Sequence, residues 1–269
     1  MMRTKSLKSL LLLAIAGAAA PAAAQELRPF CANRPSLGSA PCIIDPGHAM
    51  LELGVGDWER QDDAAGRTDT ILSGDALLRY GVGVQTEVQI GWTAIGHQRV
   101  RDATDAVERQ TRVGDVRIGV QQNVRNPDGS GLSLAIQPFV TVPTGRTPIG
   151  AGTWGGGMVI PATYELNDVF QLQVTGEVDA APDEDGAGRH LAYSGIAGLA
   201  VALSKSASAT LELFAERDRD PDERTTVLQA ALSGGYQLSD NFQIDAGATA
   251  GLNADSPDVR LFFGFSRRF

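Results

Sequence analysis

Leu261-Phe262-Phe263-Gly264-Phe265-Ser266-Arg267-Arg268-Phe269 closes the chain, and its reading decides the fold. A short alternating strand that runs straight into a terminal Phe is typical of a bacterial outer-membrane β-barrel. Such a barrel closes strand to strand, and its final residue can sit at the membrane rim as an aromatic anchor. Phe263, Phe265 and Phe269 are therefore the expected C-terminal assembly signal, with the barrel assembly machinery as the expected partner. The last strand of a soluble β-protein would read similarly, so the other end of the chain has to separate the two.

At that end Arg3, Lys5 and Lys8 precede an apolar run, Leu10 to Ala20, and Ala22-Ala23-Ala24 comes next as a small-residue cleavage site. Residues 1–24 thus read as a secretory signal peptide, with Gln25 as the first mature residue. Beyond it no run of 18 or more apolar residues remains, which argues against a transmembrane helix. The protein is expected to leave the cytoplasm and to reside in the outer membrane, in contact with its lipids.

The chain holds 23 basic and 32 acidic residues. Three of the basic ones fall in residues 1–24, which leaves 20 against 32 and a net charge of −12 for the mature chain. That balance is wrong for a nucleic-acid partner or for general anion capture. Cys31 and Cys42 are the two cysteines, and both precede the first strand. In an oxidising periplasm two cysteines closing a short loop are expected as a disulfide. Residues 25–46 are accordingly read as a periplasmic N-terminal arm held by that bridge, and the sequence leaves open whether the arm plugs the lumen or hangs in the periplasm. With no His pair or further Cys nearby, neither a metal nor a cofactor is expected there.

From His48 onward about twelve stretches are compatible with period-two alternation, and no 3.6-residue pattern competes with them. They run at 48–59, 69–80, 84–95, 111–125, 131–143, 156–166, 169–180, 189–203, 207–217, 224–237, 241–252 and 257–269. Each is near or above the roughly 9–11 residues a tilted strand needs to cross a bilayer, and an even number suits a single-chain bacterial barrel. Pro138 and Pro161 each remove a ladder donor and suggest local bulges. Alternation is plain where Val116, Ile118 and Val120 interleave with Asp115, Arg117, Gly119 and Gln121. It does not say which face meets lipid.

Connections alternate in length. Gly81–Gly83, Asn126–Ser130, Asn167-Asp168, Ser204–Ser206 and Leu238–Asp240 are short; Gly96–Gln110, Thr144–Gly155 and Ala181–Gly188 are expected as longer loops. Short periplasmic turns and long outer loops are the barrel arrangement, and they place both termini in the periplasm. Tyr80, Trp92, Tyr164, Phe170, Tyr193, Tyr236, Phe242 and Phe269 fall mostly near strand ends, where an aromatic belt is expected. The fold read from the chain is all-β: a transmembrane antiparallel barrel over residues 47–269.

With its polar face inward, the candidate lumen lining is Glu52, Asp75, Arg79, Glu87, Asp115, Arg117, Glu177, Glu212, Asp245 and Arg260, with Gln89, Gln121, Gln171, Gln173, Gln229 and Gln243 among them. Unpaired charges in a dry lumen are costly. These groups therefore either line a wet channel or pair into a network that fills the barrel, and barrel size leaves both open. An acidic lining disfavours small anions and favours cations or neutral solutes.

Enzyme chemistry has little support. His190 and Ser194 are the one base–nucleophile pairing on a single strand, and four residues of strand separate them by about 13 Å. Gly150-Ala151-Gly152-Thr153-Trp154-Gly155 spells G-x-G-x-x-G but no helical pattern comes after it, so it reads as a mobile loop. The acidic segments Asp179–Asp185 and Asp218–Glu223 could attract calcium or lipopolysaccharide-bridging cations, but they lack the spacing of an EF-hand loop and read as solvated loops.

Four strings together resemble a known family. They are Gly74-Asp75-Ala76-Leu77-Leu78-Arg79-Tyr80-Gly81-Val82; Gly114-Asp115-Val116-Arg117-Ile118-Gly119-Val120; Leu134-Ala135-Ile136-Gln137-Pro138-Phe139-Val140-Thr141-Val142-Pro143-Thr144-Gly145; and Asn241-Phe242-Gln243-Ile244-Asp245-Ala246-Gly247 with Pro257-Asp258 and the closing strand. Over about residues 45–269 the chain resembles the outer-membrane family labelled for a MetA pathway of phenol degradation, often named simply "transporter". The resemblance implies a barrel of this size and passage of small, often aromatic, compounds across the outer membrane. Arg267 stands where barrel signals usually carry an apolar side chain, and the segment with Cys31 and Cys42 has no clear counterpart in the motifs. The expected function is passive passage of small aromatic or hydrophobic solutes. A structural or surface-interaction barrel with a salt-bridged lumen is the alternative.

Overall fold

The computed structural model describes residues 27–183, 186 and 188–269; the signal-peptide reading of residues 1–24 lies outside them. The strands are β1 (Ala49–Asp63), β2 (Gly66–Gly83), β3 (Thr86–Asp102), β4 (Val107–Arg112), β5 (Val116–Arg125), β6 (Leu132–Val142), β7 (Gly155–Glu165), β8 (Phe170–Pro182), β9 (Arg189–Ala202), β10 (Ala207–Arg217), β11 (Thr226–Ser239), β12 (Phe242–Gly251) and β13 (Val259–Arg268). All neighbours are antiparallel. β4 and β5 both pair with β3 and form one barrel strand broken at residues 113–115, so the ring has twelve strands. It closes where β1 meets β13, from Met50 opposite Arg268 to Arg60 opposite Val259. Closure pairs the strands of the ring on both sides, with β4 alone among the described strands bonded on one side only; a closed ring is the condition for placing backbone in hydrocarbon.

The faces that alternation left open are settled by exposure. Leu172, Val174, Leu211, Leu213, Leu232, Ile244 and Leu261 are exposed, while Glu52, Arg79, Glu87, Gln121, Glu212 and Asp245 are buried. Apolar side chains therefore cover the outside and polar ones the inside, the inverse of a soluble β-protein. Tyr80, Tyr164, Phe170, Tyr236 and Phe269 ring the outside at the short-turn end. Trp92 and Tyr193 are exposed nearer the other end.

Two expectations change. Residues 96–110 are not a loop: β3 and β4 pair from Gly96–Arg112 to Arg101–Val107 and carry the sheet outward as a hairpin. β2 extends beside it, pairing Gly66 with Asp102. Charged side chains on both faces of this extension hid its alternation. The prolines make interruptions rather than bulges. The β5–β6 ladder breaks between Gly119–Phe139 and Gln122–Ile136, and the β6–β7 ladder between Leu134–Ala162 and Gln137–Val159, with unchanged register on either side. Each proline lacks only its N–H. Register shifts fall elsewhere, in β1 between Gly54 and Gly56 and in other ladders at Gly81/Gly83, Asn123/Arg125 and Gln237/Ser239.

Candidate functional site in the barrel lumen

Residues 27–46 lie within the barrel. They enter at the short-turn end, turn back near Leu37 and leave beside Gly81 as a hairpin-like loop, its legs joined by the Cys31–Cys42 disulfide. Sequence alone suggested a periplasmic arm and left open whether it hangs in the periplasm or plugs the lumen. The structure gives many of its polar groups partners on the wall. An irregular segment carries backbone donors and acceptors that no ladder satisfies, and an inward polar face supplies their partners.

Arg79 is the first anchor. Fully buried on β2, it donates to Glu87 Oε1 at 2.7 Å and to Glu52 Oε1 at 3.2 Å, and its remaining N–H groups reach the carbonyls of Cys31 at 2.8 Å and Cys42 at 2.9 Å. The planar guanidinium thus holds both legs of the arm at the disulfide. The two carboxylates also accept from arm backbone: Glu52 from Asn33 N and Arg34 N, Glu87 from Ile44 N at 2.8 Å. Charge-assisted bonds of this kind are about twice as strong as neutral ones.

The other anchors surround the arm. Asp245 on β12 pairs with Arg34, Nη2 to Oδ1 at 2.7 Å and Nε to both oxygens. Glu212 on β10 accepts from Ser36 Oγ and, at 3.0 Å, from Leu37 N. Gln121 donates to Ala40 O, Asn123 to Pro41 O and Gln243 to Arg34 O, each at 2.8–2.9 Å. At the entrance, Arg268 donates to Arg28 O. Pro127 O on a short turn accepts from Ile43 N. In that same turn burial would raise the Asp128 carboxyl, but the Ser130 N–H and hydroxyl hold it below its ordinary value.

Glycine makes the room. A Cβ on Gly81 would collide with the carbonyl oxygens of Ile44 and Asp45, and one on Gly264 with Leu53 O and the Arg34 guanidinium. Glycines inside predicted strands carry this signal, although twist and close strand approach explain them equally well before the arm is placed.

The ten predicted lumen residues divide accordingly. Glu52, Arg79, Glu87, Glu212 and Asp245 grip the arm. Arg117 and Glu177 pair with each other across the lumen at 2.8 Å, and Arg117 lies over the Phe139 ring. Arg260 pairs with Asp57 on the wall. Asp75 accepts from Thr93 Oγ1 at 2.9 Å. Asp115 sits in the break between β4 and β5 and is a loop anchor rather than lining. Its two oxygens accept from Gly145 N at 2.7 Å and Gly152 N at 3.0 Å, so the glycine-rich loop read as mobile is tied back to the wall. Phe263 and Phe269 are exposed on the outer face, and Phe265 packs there with Phe242.

Sequence reasoning missed the apolar inward residues Met50, Phe139 and Phe262, although Phe262 shares parity with Arg260. Missed too were Asn123 and Asp57.

Space remains on both sides of the arm. A cavity of about 350 Å³ toward the short turns is lined by Phe30, Pro41, Thr163, Gln171, Gln173 and Thr210 among others. Two of about 220 Å³ lie beyond the arm, one against Asp75, Arg260 and Phe262, the other against Gln89, Arg117, Gln137 and Glu177. The arm is thus a single layer across the lumen, with water-sized and larger space above and below.

Residues 32–269 match the model of the family described as "Putative MetA-pathway of phenol degradation", so the likeness includes most of the arm and not only the barrel motifs. An outer membrane channel from Pseudomonas putida F1 superposes with a TM-score of 0.69 at 14% identity, over 84% of this chain and 97% of that one. The NanC porin gives 0.51 at 7% identity, over 82% and 99%. The translocator domain of autotransporter NalP from Neisseria meningitidis gives 0.51 at 14% identity, over 83% and 88%. At these identities the likeness concerns the barrel fold. No curated protein matches the sequence.

Proposed function

The chain belongs to that phenol-degradation family and is a barrel of the bacterial outer membrane, and from this premise we propose that it is a passive channel for small aromatic or hydrophobic solutes. Its lumen is closed in the present state by its own N-terminal arm. The observation that carries this is the layering of the lumen: a cavity of about 350 Å³, one arm, then two cavities of about 220 Å³. The larger falls at the low end of pockets that hold small organic molecules. Its lining of amide, hydroxyl and aromatic groups suits a neutral ring carrying a hydroxyl, and the net acidic wall disfavours anions. Family membership and the name of the Pseudomonas neighbour, an outer membrane channel, support the same reading. No catalytic group is part of it. The C-terminal strand is proposed as the segment handed to the assembly machinery.

A second reading has its own support. The buried Arg79–Glu52–Glu87 cluster fits a permanently filled, structural barrel. Single-channel recording separates them. Wild-type protein in a planar bilayer is expected to show rare, small, cation-favouring steps, and the arm-loosened variant Glu212→Gln to show frequent ones. If both are silent in membranes where folding is verified, the channel reading fails and the structural one stands.

A further inference from the structure

The two acidic segments lie some forty residues apart, yet the barrel brings them together. β8, β9 and β10 are consecutive in the ring, so the end of β8, the start of β9 and the end of β10 meet at the long-loop end. Asp183 comes just after β8, His190 is the second residue of β9, and Asp218 and Asp220 come just after β10. The His190 side chain is 6% exposed. Its Nδ1 lies 2.9 Å from Asp183 Oδ1 and 3.4 Å from Asp220 Oδ2. Its Nε2 lies 2.7 Å from Asp218 Oδ1 but out of line for a hydrogen bond, which leaves that buried nitrogen without one.

This geometry asks for a positive particle. A neutral imidazole has one N–H, so one of its nitrogens always turns a lone pair toward a carboxylate. Of the nearby guanidinium groups, Arg189 donates to Thr153, Arg217 to Thr226 and Arg219 to the Tyr193 hydroxyl. One ligand atom from each of Asp183, His190 and Asp220 lies within 4.8 Å of the others, and the 2.9 and 3.4 Å separations from the imidazole nitrogen are ones that a metal with bonds of about 2.0–2.2 Å can span.

We propose that Asp183, His190 and Asp220 bind a divalent cation at the long-loop end of the barrel, with Asp218 facing the far nitrogen of the imidazole. One imidazole nitrogen and two carboxylate oxygens select an ion of the zinc or manganese class, whereas calcium takes six to eight oxygens. Asp218 occupies the place of the carboxylate that orients a metal-bound histidine. The ion joins the segment after β8 to the segment after β10 across the start of β9. It thereby ties together two connections that no strand ladder links among the described residues.

The test uses the full purified chain in detergent and ZnCl2 alone, with CaCl2 as comparator, monitored by isothermal titration calorimetry. Folding of each variant is verified by its heat-modifiable mobility. Wild type is expected to bind one zinc saturably and to bind calcium more weakly. His190→Ala and Asp220→Asn lose that site, and Asp218→Asn weakens it by about 10- to 100-fold. Absence of saturable zinc binding overturns the proposal, and the cluster is then a proton-held clasp. Equal zinc binding by His190→Ala overturns it too, by assigning the ion to acidic side chains at large.

Discussion

Arg79 shows how one side chain sets the state of this lumen. Removing one partner from a buried ionic cluster leaves the rest uncompensated, and such losses cost about 3–5 kcal/mol. Arg79→Met, similar in length and uncharged, leaves Glu52 and Glu87 facing each other and frees the carbonyls of Cys31 and Cys42. It is expected to lower the midpoint of urea unfolding from lipid vesicles and to raise channel activity together. Gly81→Ala acts from the wall by contact alone. The new methyl meets Ile44 O and Asp45 O, so the outgoing leg of the arm must shift, at the usual overpacking cost of about 1–3 kcal/mol. Its expected signature is increased conductance with unchanged charge selectivity, because no charged group is altered. Period-two alternation made most of these wall residues legible, Glu52, Arg79, Glu87, Glu212 and Asp245 among them. Their common partner was not legible. The arm has no period of its own, and its contacts reach up to 240 positions along the chain.

At the scale of elements, the arm is the part whose freedom matters. Cys31 and Cys42 are 11 positions apart, and a cross-link of that span removes about 3 kcal/mol of loop entropy from the undocked chain in the chain-entropy model. Docking is easier for a loop already closed. Reduction with dithiothreitol, or Cys31→Ser with Cys42→Ser, is expected to shift the arm toward its undocked state and to increase open-channel time. Unchanged recordings after verified reduction would show that the wall contacts suffice. The strands were legible for a simple reason: lipid outside and polar groups inside force opposite chemistry on successive residues. β2 to β4 overran their expected bounds because beyond the bilayer both faces meet water, and the alternation that marks a strand disappears. The clustering of His190 with Asp183, Asp218 and Asp220 stayed hidden likewise, since it depends on which strands are neighbours.

The whole barrel is asymmetric along its axis, and that asymmetry predicts its orientation. At one end the connections are short, Val84-Gln85 between β2 and β3 and Asp240-Asn241 between β11 and β12 among them, and the exposed ring of Tyr80, Tyr164, Tyr236 and Phe269 surrounds them. The chain enters the lumen and ends at this same end, where Ala49 and Phe269 exchange backbone hydrogen bonds. At the other end β2 and β3 rise together to Gly66 and Asp102, well past the aromatic ring, and carry charge on both faces. Such a polar extension cannot rest in hydrocarbon, and assembly from the periplasm carries the hairpins across while the strand ends remain behind. Both termini are therefore expected in the periplasm. Thr104→Cys at the tip of the β3–β4 hairpin and Ser204→Cys in the turn between β9 and β10 test this in intact cells with a membrane-impermeant maleimide. Thr104→Cys should be labelled at once, and Ser204→Cys only after the outer membrane is permeabilised. The reverse order would invert the barrel and put the entrance of the arm at the cell surface, where a solute would meet the closed side of the lumen first.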